Sequence, residues 1–188
     1  MGIEIARAFA DQGADVTLVL GPSSIRPDRS NIQVIPVTSA KEMFDATTGA
    51  FKKADIAVLS AAVADFRPEV VADQKIKKDP NSNEMVLKLV KTEDILKTLG
   101  ENKKDNQMLV GFALETQNGI ENAKKKLHSK NLDMIVLNTM NEAGVGFKTK
   151  TNKVNIITKD DKIFDYELKP KSEVAQDVLD AIYQSITK

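Results

Sequence analysis

The chain has 188 residues, 41% of them apolar, with 27 Lys plus Arg balanced by 27 Asp plus Glu. That length supports one domain with a proper core, and a net charge of zero gives no general attraction for nucleic acid or an anionic membrane, so any anion site must be local. The lack of cysteine excludes disulfides, thiolate nucleophiles and cysteine-ligated zinc, and the one histidine, His128, lies in a basic helical segment that argues against a serine triad.

Met1 to Gln12 reads as a helix with Ile5, Ala6, Phe9 and Ala10 on its apolar stripe and Gly13 as its stop. Val16 to Leu20 and Ile32 to Val37 read as buried strands. Ser39 and Glu42 form a capping box for a helix running to about Lys53, and Ile56 to Leu59 is the next buried strand. The order α-β-β-α-β predicts an α/β fold, a Rossmann-like, doubly wound and mostly parallel sheet. In such folds a first strand and a glycine-rich turn precede the first helix. Met1-Gly2 stands where that turn should end, so the expectation is that these 188 residues omit a segment of the native polypeptide, a circularly different topology being the other arrangement.

Ser60 to Lys78 leaves the third strand through Ser60, Ala61 and Ala62, passes Asp65 and Arg67-Pro68, and arrives at Lys75, Lys77 and Lys78. Small residues at a strand exit let a ligand approach the backbone, and a carboxylate followed by lysines suits a polyanion; a solvated loop is the plain reading. Asp79 to Asn83 reads as a turn and Met85 to Val90 as a strand, and Thr92 is a candidate cap for a short helix through Ile95, Leu96 and Leu99. Met108 to Leu114 is the next strand, Asn118 caps a helix to about Ser129, and Met134 to Leu137 follows as a strand. Asn138 to Lys150 reads as a polar loop, and Val154 to Thr158 with Ile163 to Leu168 as a hairpin. A small β lobe, built from about 73–91 and 151–169, is expected beside the main sheet of a single domain spanning 1–188. Ser172 caps the last helix, whose Val174, Val178, Ile182 and Ile186 recur at helical spacing. No stretch approaches the roughly 18 apolar residues of a membrane span, and no charged leader with an apolar centre opens the chain, so a cytoplasmic location is expected.

Lys126 and Lys130 share one helix face beside Lys124 and Lys125. Like charges at that spacing cost a few tenths of a kcal/mol, roughly, and the helix C-terminus returns about as much. If they converge with Lys75 they require an anionic partner such as a triphosphate with its metal. Phe112-Ala113, at the end of a buried strand, offers an aromatic edge and backbone groups to a base, or is plain core.

The sequence S-A-A-V-A-D-F-R-P, then K-I-K-K, K-L-V-K-T-E-D-I-L, V-G-F-A-L-E-T and K-N-L-D, in that order, resembles the phosphopantothenoylcysteine synthetase family of coenzyme A biosynthesis, along essentially the whole chain. The resemblance implies a homodimer, often fused to a flavin-dependent decarboxylase domain, that joins 4′-phosphopantothenate to L-cysteine using CTP and Mg²⁺. It implies that Lys75 serves catalysis and that Lys126 and Lys130 hold the triphosphate. It assigns Asp65 with the Ala61-Ala62 backbone, Phe112, Ala113 and the turn Thr92, Glu93, Asp94 and Ile95 to the nucleotide pocket. The stretch after Lys78 matches a mobile flap, and the hairpin at 154–168 matches the dimerisation lobe. The family also carries a G-G-T turn and an asparagine followed by S-S-G-K before the M-G that opens this chain; none is present, so weak nucleotide binding and poor turnover are expected of these residues alone. ATP, used by the related enzymes of animals, is the competing nucleotide. A Rossmann-like nucleotide- or NAD-binding oxidoreductase and a nucleic-acid-binding module are the other readings, the last opposed by zero net charge and few aromatics.

Overall fold

The computed structural model describes residues 1–77, 83–115, 117–139 and 150–187. Helix α1, Gly2–Asp11, buries Ile5, Ala6 and Ala10, the stripe expected from its periodicity. Strands β1, Val16–Leu20, and β2, Ile32–Pro36, pair in parallel. Helix α2, Ala40–Phe51, opens on the expected capping box: the Ser39 hydroxyl accepts from the Glu42 N–H and the Glu42 carboxylate accepts from the Ser39 N–H. Strand β3, Ile56–Leu59, follows, and then β4, Phe66–Pro68, pairs antiparallel with β5, Leu89–Lys91.

Helix α3, Ile95–Asn102, strand β6, Met108–Glu115, helix α4, Gly119–Ser129, and strand β7, Met134–Thr139, make the centre of the molecule. They are followed by β8, Thr151–Asn152, β9, Val154–Thr158, β10, Ile163–Asp165, β11, Lys169–Pro170, and helix α5, Lys171–Ile186. The principal sheet has the order β10-β9-β7-β6-β3. Its β3, β6 and β7 run parallel, and β9 and β10 extend it antiparallel.

Strand alternation explains why β7 reads as a continuous apolar run. Met134 and Val136 pack with Val174, Val178 and Ile182 of α5, while Ile135 and Leu137 face Leu99 of α3 and Leu127 of α4. A central strand covered by helices on both faces has no polar side to show. Each fully buried branched side chain contributes about 1.5–3 kcal/mol, so the valine and isoleucine row of α5 makes that helix a packing element. Buried Gln107 donates through Nε2 to the carbonyls of Phe51 and Ala54, each at 2.7 Å, and so ties the turn that follows α2 to the start of β6.

Several local expectations are corrected. Of the strand expected at Met85 to Val90 only the last two residues enter β5; Met85, Val86 and Leu87 are exposed, because their ribbon partner covers only Phe66–Pro68. The hairpin at 154–165 is hydrogen-bonded to β7 through β9, so it continues the main sheet, and among the described residues it shares no strand pairing with the β4–β5 ribbon. Helix α3 is capped by Asp94, not Thr92, and α5 begins after Pro170 with no side-chain cap, so Ser172 lies inside the helix. Asn118 is the N-cap of α4 but sits in the left-handed region at φ 51° and makes no capping bond. Lys78, most of the turn at 79–83, the start of the expected flap and most of the 138–150 loop fall outside the described residues.

Candidate functional site

The carboxyl ends of β3 and β6 open on one cleft, lined by Ser60, Ala61, Asp65, Thr92, Glu93, Asp94, Ile95, Phe112, Lys126 and Lys130 together with β1, α1 and α2. Residues far apart in sequence thus meet at the strand ends, the usual binding edge of an open parallel sheet. Thr92 fixes the turn after β5: its hydroxyl donates to the Ala64 carbonyl at 2.6 Å and its N–H to the Asp65 carbonyl at 2.9 Å. These bonds tie the Ala61–Asp65 loop to the start of α3.

Asp94 accepts the Lys97 N–H at 3.0 Å and the Lys130 ammonium at 2.7 Å. Burial pushes its carboxyl upward, but the Lys130 hydrogen bond and the Lys97 N–H outweigh it and hold Asp94 below the usual carboxylate value. Lys126 donates to the Phe112 carbonyl at 2.9 Å. Burial, and then the charge of Lys130, lower its pKa against the opposing fields of Asp94, Glu115 and Asp65. An ammonium has three donors, so each lysine keeps hydrogens for a further acceptor. Two partly desolvated ammonium groups held by fixed acceptors are suited to an oxyanion ligand.

The predicted residues divide accordingly. Asp65, Thr92, Glu93, Asp94, Lys126 and Lys130 come together, with Ala61 and Phe112 on the same cleft. Ala62 is exposed one step away, and Lys75 is exposed on the segment beyond β4, outside the cleft lining. Ile95 and Ala113 have side chains in the core, Ile95 also bordering the cleft and Ala113 lying outside its lining; Phe112 alternates to the opposite face from Ala113. Among the described residues no group of three His, Asp or Glu is arranged for a metal. Asp65 and Glu93 are cleft carboxylates without a side-chain ion pair among the described contacts, enough for a magnesium ion that arrives on phosphates, since that ion takes one or two carboxylates and keeps water for the rest.

Three features were not foreseen. A Cβ added to Gly2 lies 2.8 Å from the Ser60 hydroxyl oxygen, so the start of α1 touches the β3 exit. A Cβ added to Gly100 lies 1.9 Å from the Lys130 carbonyl oxygen, so α3 and the end of α4 meet backbone to backbone. The Oδ1 atoms of Asn138 and Asn152 are buried with no hydrogen-bond donor among the described residues. The only sequence signals were a glycine or a polar residue at the end of an apolar run, which are common elsewhere.

A family model described as the DNA/pantothenate metabolism flavoprotein C-terminal domain matches residues 1–186. A relative from an unknown prokaryotic organism named Cysteine/Cysteine sulfinic acid decarboxylase is 54% identical over 179 residues, covering 95% of this chain and 49% of the relative. The Coenzyme A biosynthesis bifunctional protein CoaBC of Bacillus subtilis (strain 168) is 43% identical over 182 residues, covering 97% of this chain and 44% of that protein. The chain spans about half the length of these curated relatives. A solved C-terminal domain of Coenzyme A biosynthesis bifunctional protein CoaBC superposes with a TM-score of 0.81 at 36% identity, covering 99% of this chain and 82% of the other.

Proposed function

The chain belongs to the DNA/pantothenate metabolism flavoprotein C-terminal domain family, and on that premise we propose that it is the phosphopantothenate–cysteine ligase part of a coenzyme A biosynthesis enzyme, with CTP as the activating nucleotide. The observation that carries the reading is the pair Lys126 and Lys130, held by the Phe112 carbonyl and by Asp94 beside the small residues at the β3 exit.

In this reading the 4′-phosphopantothenate carboxylate attacks the α-phosphorus of CTP, forming a C–O–P bond as the bond to the β-phosphate oxygen breaks and pyrophosphate leaves. The cysteine amine then attacks the acyl carbon, the amide forms, CMP departs with the bonding electrons, and the amine loses a proton. No enzyme nucleophile is needed, which agrees with a chain that lacks cysteine. Catalysis rests on positioning and on charge: Lys126 and Lys130 hold the triphosphate oxygens, and the Ala61 backbone and Phe112 receive the base. Magnesium, arriving on the triphosphate, would neutralise developing charge, and Asp65 and Glu93 are the cleft carboxylates that would hold it. Lys75 reaches the reacting groups only if its exposed segment folds over the cleft, the role expected of it from the resemblance. A homodimer and a fused flavin-dependent decarboxylase domain complete the proposal. The name of the 54%-identical relative describes a protein about twice as long as the matched region.

The test is calorimetric titration with CTP, ATP and GTP in the presence of magnesium. Selective CTP binding, weakened about 10- to 100-fold in Lys130→Met by loss of a charge-assisted contact, is the expected result. Equal affinity for all three nucleotides, or no change in Lys130→Met, overturns the assignment.

A further inference from the structure

Asn122, Lys126 and Lys130 recur every fourth residue and so share one face of α4. Each is tied to a different acceptor. Lys130 donates to Asp94 at 2.7 Å, Lys126 to the Phe112 carbonyl at 2.9 Å, and Asn122, through Nδ2, to Glu115 Oε2 at 3.1 Å. The first two bonds anchor the lysines of the proposed triphosphate site. The third holds a carboxylate at the end of β6, three residues beyond Phe112.

Two features fix Glu115 there. By strand alternation it shares the face of Ala113, which packs with Ala123 and Leu127 of α4. Residue 119 is glycine: a Cβ at that position would lie 3.4 Å from the Glu115 Cβ and 3.2 Å from Leu137 Cδ2, so the first turn of α4 sits closely on the ends of β6 and β7. Asn122 then takes one carboxylate oxygen, one helical turn before Lys126. A carboxamide is neutral, so this bond orients the negative charge of Glu115 without cancelling it.

The charges facing Lys126 come from every wall around it. Lys130 on α4 opposes its charge; Asp94 before α3, Glu115 at the end of β6 and Asp65 on the loop after β3 favour it. Asp94 is committed to Lys130 by a direct hydrogen bond, and Asp65 lines the cleft, where it meets whatever binds. Glu115 lies outside the cleft lining. It is the carboxylate that can act on Lys126 without touching a ligand.

We propose that Glu115 is a positioning residue of the triphosphate site: clamped by Asn122, it holds Lys126 charged and oriented for an oxyanion. The inference deepens the ligase reading, because it concerns the same lysine pair, and it applies to any polyphosphate at Lys126. Its sign is definite. Neutralising Glu115 withdraws a field that favours the ammonium, so Lys126 loses its proton at lower pH. Below that alkaline range the same change removes a repulsion from the ligand's phosphates, so binding tightens.

The experiment compares the parent chain with Glu115→Gln, whose amide oxygen still accepts from Asn122, so that charge alone is altered. Lysine titrations are followed by NMR on chains labelled with carbon-13 at lysine Cε, the Lys126 signal being the one absent from Lys126→Arg. Binding of inorganic tripolyphosphate is measured by calorimetry from neutral to alkaline pH at low ionic strength. In Glu115→Gln the Lys126 titration is expected to fall by roughly half a pH unit, the scale of one nearby charge in a water-like medium. The alkaline loss of affinity moves with it, while affinity at neutral pH rises about two- to threefold, the same energy expressed in binding. In a Lys126→Arg background, Glu115→Gln leaves the alkaline profile unmoved. A Lys126 titration that does not shift, or a loss of affinity equal at every pH, overturns the proposal. Tripolyphosphate carries no base, so a chain that shows these shifts without CTP selectivity supports the role of Glu115 and overturns the ligase reading alone.

Discussion

Gly100→Ala tests the contact that sets the position of Lys130. In an isolated helix the change is favourable by about 1 kcal/mol, because alanine loses less backbone entropy. Here the added Cβ lands 1.9 Å from the Lys130 carbonyl oxygen and 2.9 Å from its carbon, and both are backbone atoms that cannot rotate away. The ends of α3 and α4 must separate by more than about 1 Å to restore ordinary contact, an overpacking that costs about 1–3 kcal/mol. The separation also stretches the Asn131 Nδ2 to Gly100 carbonyl bond of 2.9 Å, worth about 1 kcal/mol. The steric and hydrogen-bond terms exceed the propensity gain, leaving a net loss of about 2 kcal/mol, or roughly 4–8 °C in Tm for a chain of this size. Thermal unfolding with nucleotide titration is the assay; the expected outcome is a lower Tm together with weaker triphosphate binding, as Lys130 moves relative to Asp94. An unchanged or raised Tm would refute the close approach and the positioning argument built on it.

Two further expectations concern protons. Asp94 has a folded pKa below its ordinary 3.8, so its ion pair contributes fully above that value and is lost as pH falls through the lower folded value. Asp94→Asn keeps an N-cap oxygen and should therefore be less stable than the parent by at most about 1 kcal/mol at pH 7, the difference vanishing in acid denaturation scans below that folded value. Lys126 has a folded pKa below 10.5, so the cost of burying its ammonium is fully present below the folded pKa and relieved as pH rises toward 10.5. A bound anion restores the charge, so triphosphate affinity should fall through that alkaline window with proton uptake on binding; Lys126→Arg, which stays charged, should lose that part of the slope, and an identical slope in both proteins would remove Lys126 from the site.

Much of the fold was legible because its signals are local. The capping box at Ser39 and Glu42 names its own partners, and the α5 stripe states which face is buried. The strands from Ile56, Met108 and Met134 announce themselves as apolar runs too short for helices. The grouping of site candidates came from the family resemblance, since small residues after a strand and lysines at helical spacing are each unspecific; the structure adds that Asp65, Lys126 and Lys130 line one cleft. Where reading failed, competing partners decided. Thr92 and Asp94 are both acceptable caps, and the Ala64 carbonyl takes the first, leaving the helix to the second.

The sequence by itself determined the kind and order of the elements and the faces they bury, since side-chain period and capping act within a few residues. Only the tertiary structure decided that the Val154–Asp165 hairpin joins β7, that Lys130 is paired with Asp94 across 36 positions, and that β1 and β3 stand apart with open edges. An apolar pattern specifies how much surface must leave water, and it is nearly indifferent to which apolar surface covers it. The choice among partners is made by backbone hydrogen bonds and by close contacts such as Gly100 against Lys130, which exist only once the chain has come together.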